Sequence, residues 1–148
     1  MNPSLALDPR PRSLRQVSIE TAAGASYASC MKEFIDTLVA EAVAPEDRHG
    51  FYAIDPSFTR DEPLHLADPV LMAHLAGLAE YISTLTGQEP PGWTSKPVYF
   101  LKNPFYVGVR PGGRSAEETT PSAFRRRLLF CGPSLQKLHR LKPRPAEA

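Results

Sequence analysis

Residues 68–87 read DPVLMAHLAGLAEYISTLTG, and the parts of a helix follow one another in order. Asp68 stands where an N-cap oxygen accepts the free amide hydrogens of a first turn, and Pro69 is preset for the first helical position. Leu71, Leu75, Leu78, Ile82 and Leu85 then recur at alternating spacings of four and three, a stripe that must be buried. Gly87 supplies the left-handed stop. Five apolar positions fall short of the heptads a coiled coil needs, so the stripe reads as internal core and not as a dimer seam.

Upstream, a second helical window runs from about Leu14 to Val43. Tyr27, Met31, Phe34, Leu38 and Ala42 share its apolar side, with Cys30 and Ile35 beside them. Gly24 is a point at which this window can divide, and Pro45 closes it. The spacing predicts an amphipathic helix over roughly 26–43. Residues 44–67 read as an acidic loop pinned by Phe51, Tyr52, Ile54, Phe58, Leu64 and Leu66, with a short strand near Phe51–Ile54.

Downstream of Gly87 the chain changes character. Pro90-Pro91-Gly92-Trp93 is incompatible with helix. Val98–Leu101 and Phe105–Val109 read as short strands separated by a turn at Asn103-Pro104, and Arg110–Arg114 reads as a hinge. Ser115 with Glu118 fits a capping box. Thr120-Pro121 offers a cap and first-position pair for a short helix Ser122–Arg127. Leu128, Leu129 and Phe130 then pack inward, and Pro133-Ser134 open a last short helix with Leu135, Leu138 and Leu141.

The expected architecture is α+β or mostly α: one small domain over 14–142, with two main amphipathic helices, short C-terminal helices and a few short strands. Residues 1–13 form a flexible arm and 143–148 a frayed tail. The 148 residues suffice for one core. The 16 prolines, about twice the usual share, cut the chain into short elements. No apolar run approaches the roughly 20 residues that span a bilayer, and no signal-peptide core follows the N-terminal charges. Cys30 and Cys131 lack metal or redox spacing and read as buried free thiols of a reducing cytoplasm, with a disulfide as the alternative.

Net charge is +1, but residues 1–90 carry −7 and residues 91–148 carry +8. The two halves either neutralise each other or present opposite faces to different partners.

Catalytic signatures are lacking. His49, His65, His74 and His139 form no metal-ligand spacing, and they read as loop and surface residues. There is no nucleophile elbow and no phosphate loop, and Asp61-Glu62 and Glu117-Glu118 are adjacent pairs whose side chains diverge. No cofactor and no metal are implied. Arg125-Arg126-Arg127 is the sharpest charged feature, yet three consecutive helical residues spread over some 200° and cannot all face one groove. Trp93 beside prolines reads first as a core anchor and second as an interface hot spot.

The order of these parts resembles a family of small bacterial proteins. The residues that carry the resemblance are the helix from Asp68-Pro69, Pro91 and Trp93, then Phe100, Leu101, Pro104 and Phe105, and finally Thr120–Arg127. The family signature runs Pro-x-Trp, Phe-Leu-x-x-Pro-Trp/Phe and Ser-Pro-Ala-Ala-Phe-Arg-Arg-Arg-Gly-Ile-Phe, and Phe34-Ile35-Asp36 resembles its Phe-Leu-Asp helix. Coverage is about residues 20–140. The family module often follows a helix-turn-helix domain and is similar to antitoxin-like partners of nucleotidyltransferase-like toxins. This chain has no such N-terminal domain, and it carries Leu128-Leu129-Phe130 where the family has Gly-Ile-Phe.

The resemblance implies a cytoplasmic, non-enzymatic protein that binds and restrains a toxin encoded nearby. Its expected partner surface is Trp93, Phe105, Tyr106, Phe124, Arg125, Arg126 and Arg127, with Phe124 shared with the core. A nucleic-acid-binding accessory using the basic half, and an unrecognised enzyme, are the alternatives. Nothing in the chain sets an oligomeric state.

Overall fold

The computed structural model describes residues 10–47, 49–107, 114–132 and 136–143. The expectations for residues 1–9, for most of the 110–114 hinge, for the Ser115 side chain, for Pro133–Leu135 and for 144–148 lie outside the described residues.

The fold is a small α or α+β domain, helical in the main with a single two-stranded sheet among the described residues. Helix α1 (Leu14–Ala22) and helix α2 (Tyr27–Glu41) pack on each other, and the one-turn helix α3 (Ser57–Arg60) closes on α1. Gly24 divides the first window at φ +109°, a backbone that side-chain-bearing residues rarely adopt. Ser13 and Ser26 cap the two helices by accepting from Gln16 N–H and Ser29 N–H. The end of the expected arm is therefore tied down: Pro11 is buried, and Arg12 pairs with Glu41 and lies over the Phe58 ring.

Helix α4 (Pro69–Leu85) is the axis of the molecule. Asp68 Oδ1 accepts from Val70 N–H at 2.9 Å, and Gly87 takes φ +68°. Leu75, Leu78, Ile82 and Leu85 are buried as the stripe requires, while Leu71 is half-buried. Burial extends well past the stripe, however, to Met72, Ala73, Ala76, Gly77, Ala79, Tyr81 and Ser83. A helix apolar on most sides belongs inside a domain. The small residues on its far side let α6 (Ser122–Arg125) approach so closely that the Phe124 ring packs directly on Gly77.

Val98–Leu101 is not a strand. Gly92–Ser95 and Pro97–Tyr99 are two short 3-10 turns, with Tyr99 N–H donating to Lys96 O at 3.0 Å. The prolines start such turns readily, and Val98 in a β-rich run gave a false strand signal. The strands are β1 (Phe105–Tyr106) and β2 (Leu129–Phe130), paired in parallel, Phe105 with Leu129 and Tyr106 with Phe130. Near Phe51–Ile54 there is one antiparallel bridge, Val43 with Ala53. Helix α5 (Arg114–Thr119) precedes α6, and a 3-10 helix over Gln136–Leu141 packs on α2 through buried Leu138 and Leu141. Thr120 does not cap α6; its Oγ1 accepts from Gly132 N–H at 2.8 Å instead. Cys30 and Cys131 are free and buried.

Candidate partner-binding site

Between α6 and β2 the chain must reverse, and Leu128 does so at φ +63°. The reversal fixes which way each of the preceding arginines points.

Arg127 points inward and is 0% exposed. One terminal nitrogen donates to Glu80 Oε1 and to Ala123 O, each at 2.7 Å, and the other donates to Thr94 O at 2.7 Å. The guanidinium lies 4.6 Å from the centre of the Phe100 ring. Burial pulls its pKa below the ordinary arginine value, and Glu80 pushes back. Arg127 thus joins α4, α6 and the Trp93 turn from within. As a partner-contact residue it is corrected: no surface of it reaches solvent.

Trp93 and Phe124 are corrected likewise. Trp93 is buried, its Nε1–H donates to Thr59 O at 3.1 Å, and its ring meets Tyr99 edge-on at 5.1 Å. Phe124 stacks on His74 at 5.5 Å and leans on Tyr81. His74 is no surface histidine either. Its Nδ1 lies 2.6 Å from the Tyr27 hydroxyl, and burial lowers its pKa from 6.5 to about 4. With the neutral ring protonated at Nε2, Nδ1 accepts a hydrogen bond from the Tyr27 hydroxyl.

Four expected residues stay together outside. Arg126 sits beside Glu80, Nε to Oε1 at 3.0 Å, with its side chain 52% exposed and its guanidinium 5.7 Å from the Phe100 ring centre. Arg125 is exposed, and its guanidinium makes one long hydrogen bond among the described residues, 3.3 Å to Glu117 O. Phe105 is 46% exposed, and Tyr106 stacks on Phe130 with ring centres 4.9 Å apart. Tyr106, Arg125 and Arg126 line an open groove of about 620 Å³ with Pro104, Glu117 and Phe130. On the other side of Pro104 lies an apolar groove of about 660 Å³, lined by Val70, Val98, Phe100, Leu101 and Phe105. Sequence reasoning missed Val98, 42% exposed, as a surface residue, because a strand at 98–101 would have turned alternate side chains inward.

Charge pairing resolves the asymmetry of the two halves. Lys96 bonds Glu62 at 2.7 Å, Arg126 and Arg127 share Glu80, and Lys137 bonds Asp36. Each pair joins the basic half to the acidic one. Among the described residues no group of three or more His, Cys, Asp or Glu side chains could hold a metal ion, and no helix is long and apolar enough to cross a membrane. No family model, curated protein or solved structure matches this chain.

Proposed function

We propose that this chain is a cytoplasmic, non-enzymatic partner-binding protein of the antitoxin-like kind, which holds and restrains a nucleotidyltransferase-like toxin encoded beside it. The resemblance suggests the class. The observation that carries partner binding is the face on both sides of Pro104, where an apolar groove rimmed by Phe105 and Val98 adjoins an oriented arginine. Arg126 is held at Nε by Glu80 and lies on Phe100 with its side chain 52% exposed, so its guanidinium is positioned before any partner arrives. Such preorganisation lowers the ordering cost of binding, and arginine and aromatic side chains dominate interface hot spots. The face suits a protein segment with an apolar anchor for the groove and a carboxylate for Arg126. Absorption of four cations by the acidic half favours this reading over a nucleic-acid surface, which needs many uncommitted cations.

The test is co-expression with the product of the adjacent gene. Growth arrest by the neighbour alone, relieved by this protein with a recoverable complex, is expected. Phe105→Ala together with Arg126→Ala then weakens the complex by about 10-fold or more at unchanged thermal stability. A harmless neighbour that does not co-purify overturns the antitoxin reading, and an unaffected complex overturns the surface.

A further inference from the structure

Once the ion pairs are formed, four cations of the basic half have no carboxylate partner among the described residues: Lys102, Arg125, Arg140 and Lys142. Two of the four, Arg125 and Lys142, line the same cleft of about 360 Å³, and His139 lines it with them. The cleft lies between the C-terminal half of α4, the α5–α6 connection and the 3-10 helix over 136–141. Ser122 adds a hydroxyl, while the Thr84 hydroxyl donates to Glu80 O at 3.1 Å and, with Tyr81 and Pro121, forms wall. One carboxylate, Glu118, also lines it, against two cations and an imidazole.

The framework behind these groups is anchored. Leu138 and Leu141 bury the inner side of the 3-10 helix, and Lys137 ties it to Asp36 on α2. Lys142 N–H donates to His139 O at 3.1 Å, which holds the two residues in one turn. Phe124 and Ala123 are buried against α4, so Arg125 projects from a fixed base.

We propose that this cleft binds a phosphomonoester dianion. Its charge calls for more than one cation, and its three terminal oxygens call for several donors at once. The Arg125 guanidinium, the Lys142 ammonium and the Ser122 hydroxyl supply them. The volume is in the range of small-ligand sites and leaves room for a modest organic remainder beyond the phosphate. It is a cleft and not a track, so one phosphate is accommodated where a polynucleotide would need a run of them. The phosphate reaches the cleft either on a free metabolite such as a nucleotide or on a phosphorylated side chain of a protein. The cleft shares Ser122 and Arg125 with the groove beside Arg126, but Phe105 and Arg126 do not line the cleft and Lys142 does not line the groove, so Lys142→Gln is the substitution that separates it from the partner face.

The experiment is a titration of the ¹⁵N-labelled protein followed by amide chemical shifts, at constant ionic strength, with inorganic phosphate, adenosine 5′-monophosphate and a phosphoserine peptide in turn. Saturable shifts confined to residues around Thr84, Ser122, Arg125, His139 and Lys142 are expected. Arg125→Ala and Lys142→Gln, both at exposed side chains, should each weaken binding about 10-fold while the remaining spectrum is retained. Tighter binding of the nucleotide than of the phosphopeptide assigns the free-metabolite source, and the reverse order assigns a phosphorylated protein. Absence of saturable shifts at tens of millimolar phosphate and with both organic probes overturns the proposal. So do shifts that survive both substitutions undiminished.

Discussion

Arg127 and Glu80 are 47 residues apart in the chain and 2.7 Å apart in the fold. Taking a charge out of water costs several kcal/mol, and a close partner with further hydrogen bonds repays it only while both partners remain. Arg127→Ala leaves Glu80 with Arg126 alone, strips a donor from Ala123 O and Thr94 O, and opens space under Phe100. A loss of about 3–5 kcal/mol in unfolding free energy is expected by urea titration. Arg127→Met with Glu80→Leu should recover most of it, since neither charge is then stranded. One residue on, Leu128 holds φ +63°, a conformation that costs a side-chain-bearing residue roughly 1 kcal/mol and glycine almost nothing. Leu128→Gly and Leu128→Ala lose the same contacts, so their difference isolates the backbone. The glycine variant should be the more stable by about 1 kcal/mol, and equality of the two would remove the strain argument.

At the scale of elements, α4 shows which sequence signals were legible and which were not. Asp68-Pro69, the 4-3 leucine spacing and Gly87 each act within one helix, so they could be read directly. Gly24 divides α1 from α2 for the same reason, whereas the Ser26 cap was not read. The burial of Ala73, Ala76, Gly77 and Ala79 could not be read, because it depends on α6 arriving 40 residues later. The 3-10 turns at 92–99 were misread since prolines and β-rich residues coexist there, and tertiary packing on α4 decided between them. Gly77 tests the closeness of that packing. A Cβ there would stand 2.5 Å from Phe124 Cδ1, and the ring is itself confined by His74 and Tyr81. Alanine gains up to about 1 kcal/mol in helix propensity, but overpacking costs about 1–3 kcal/mol, so the clash wins. Gly77→Ala should destabilise by roughly 1–2 kcal/mol in chemical denaturation. Phe124→Leu in the same chain should cost less than it does alone, the signature of relieved overlap.

Over the whole molecule, the candidate site was half legible. Exposed Phe105, Tyr106, Arg125 and Arg126 follow from residue type and neighbourhood. The burial of Trp93, Phe124 and Arg127 follows from partners at Thr59, Gly77 and Glu80, which no local pattern announces. The same long-range logic sets the response of the fold to acid. His74 is held neutral by burial, with a folded pKa of about 4 against 6.5 for the free side chain. A depressed histidine pKa means that the unfolded chain binds the proton first. Its contribution is therefore complete above pH 6.5, declines as pH falls through the window from 6.5 to 4, and is gone below it. At about 1.4 kcal/mol per pH unit, the loss is on the order of 3 kcal/mol. Asp36, Glu41 and Glu62 act in the same direction at lower pH. Hydrogen bonds from Lys137 and Lys32, from Arg12, and from Lys96 and Tyr99 hold them below the usual carboxylate range. Stability should accordingly fall in two stages on acidification, the first owed to one imidazole. Urea midpoints at about pH 7.5, 5.5, 4 and 2.5 separate them. His74→Asn keeps an acceptor for the Tyr27 hydroxyl but cannot titrate, so it should start lower and lose little between pH 6.5 and 4. If the variant loses as much stability across that window as the parent chain, the first stage does not belong to His74.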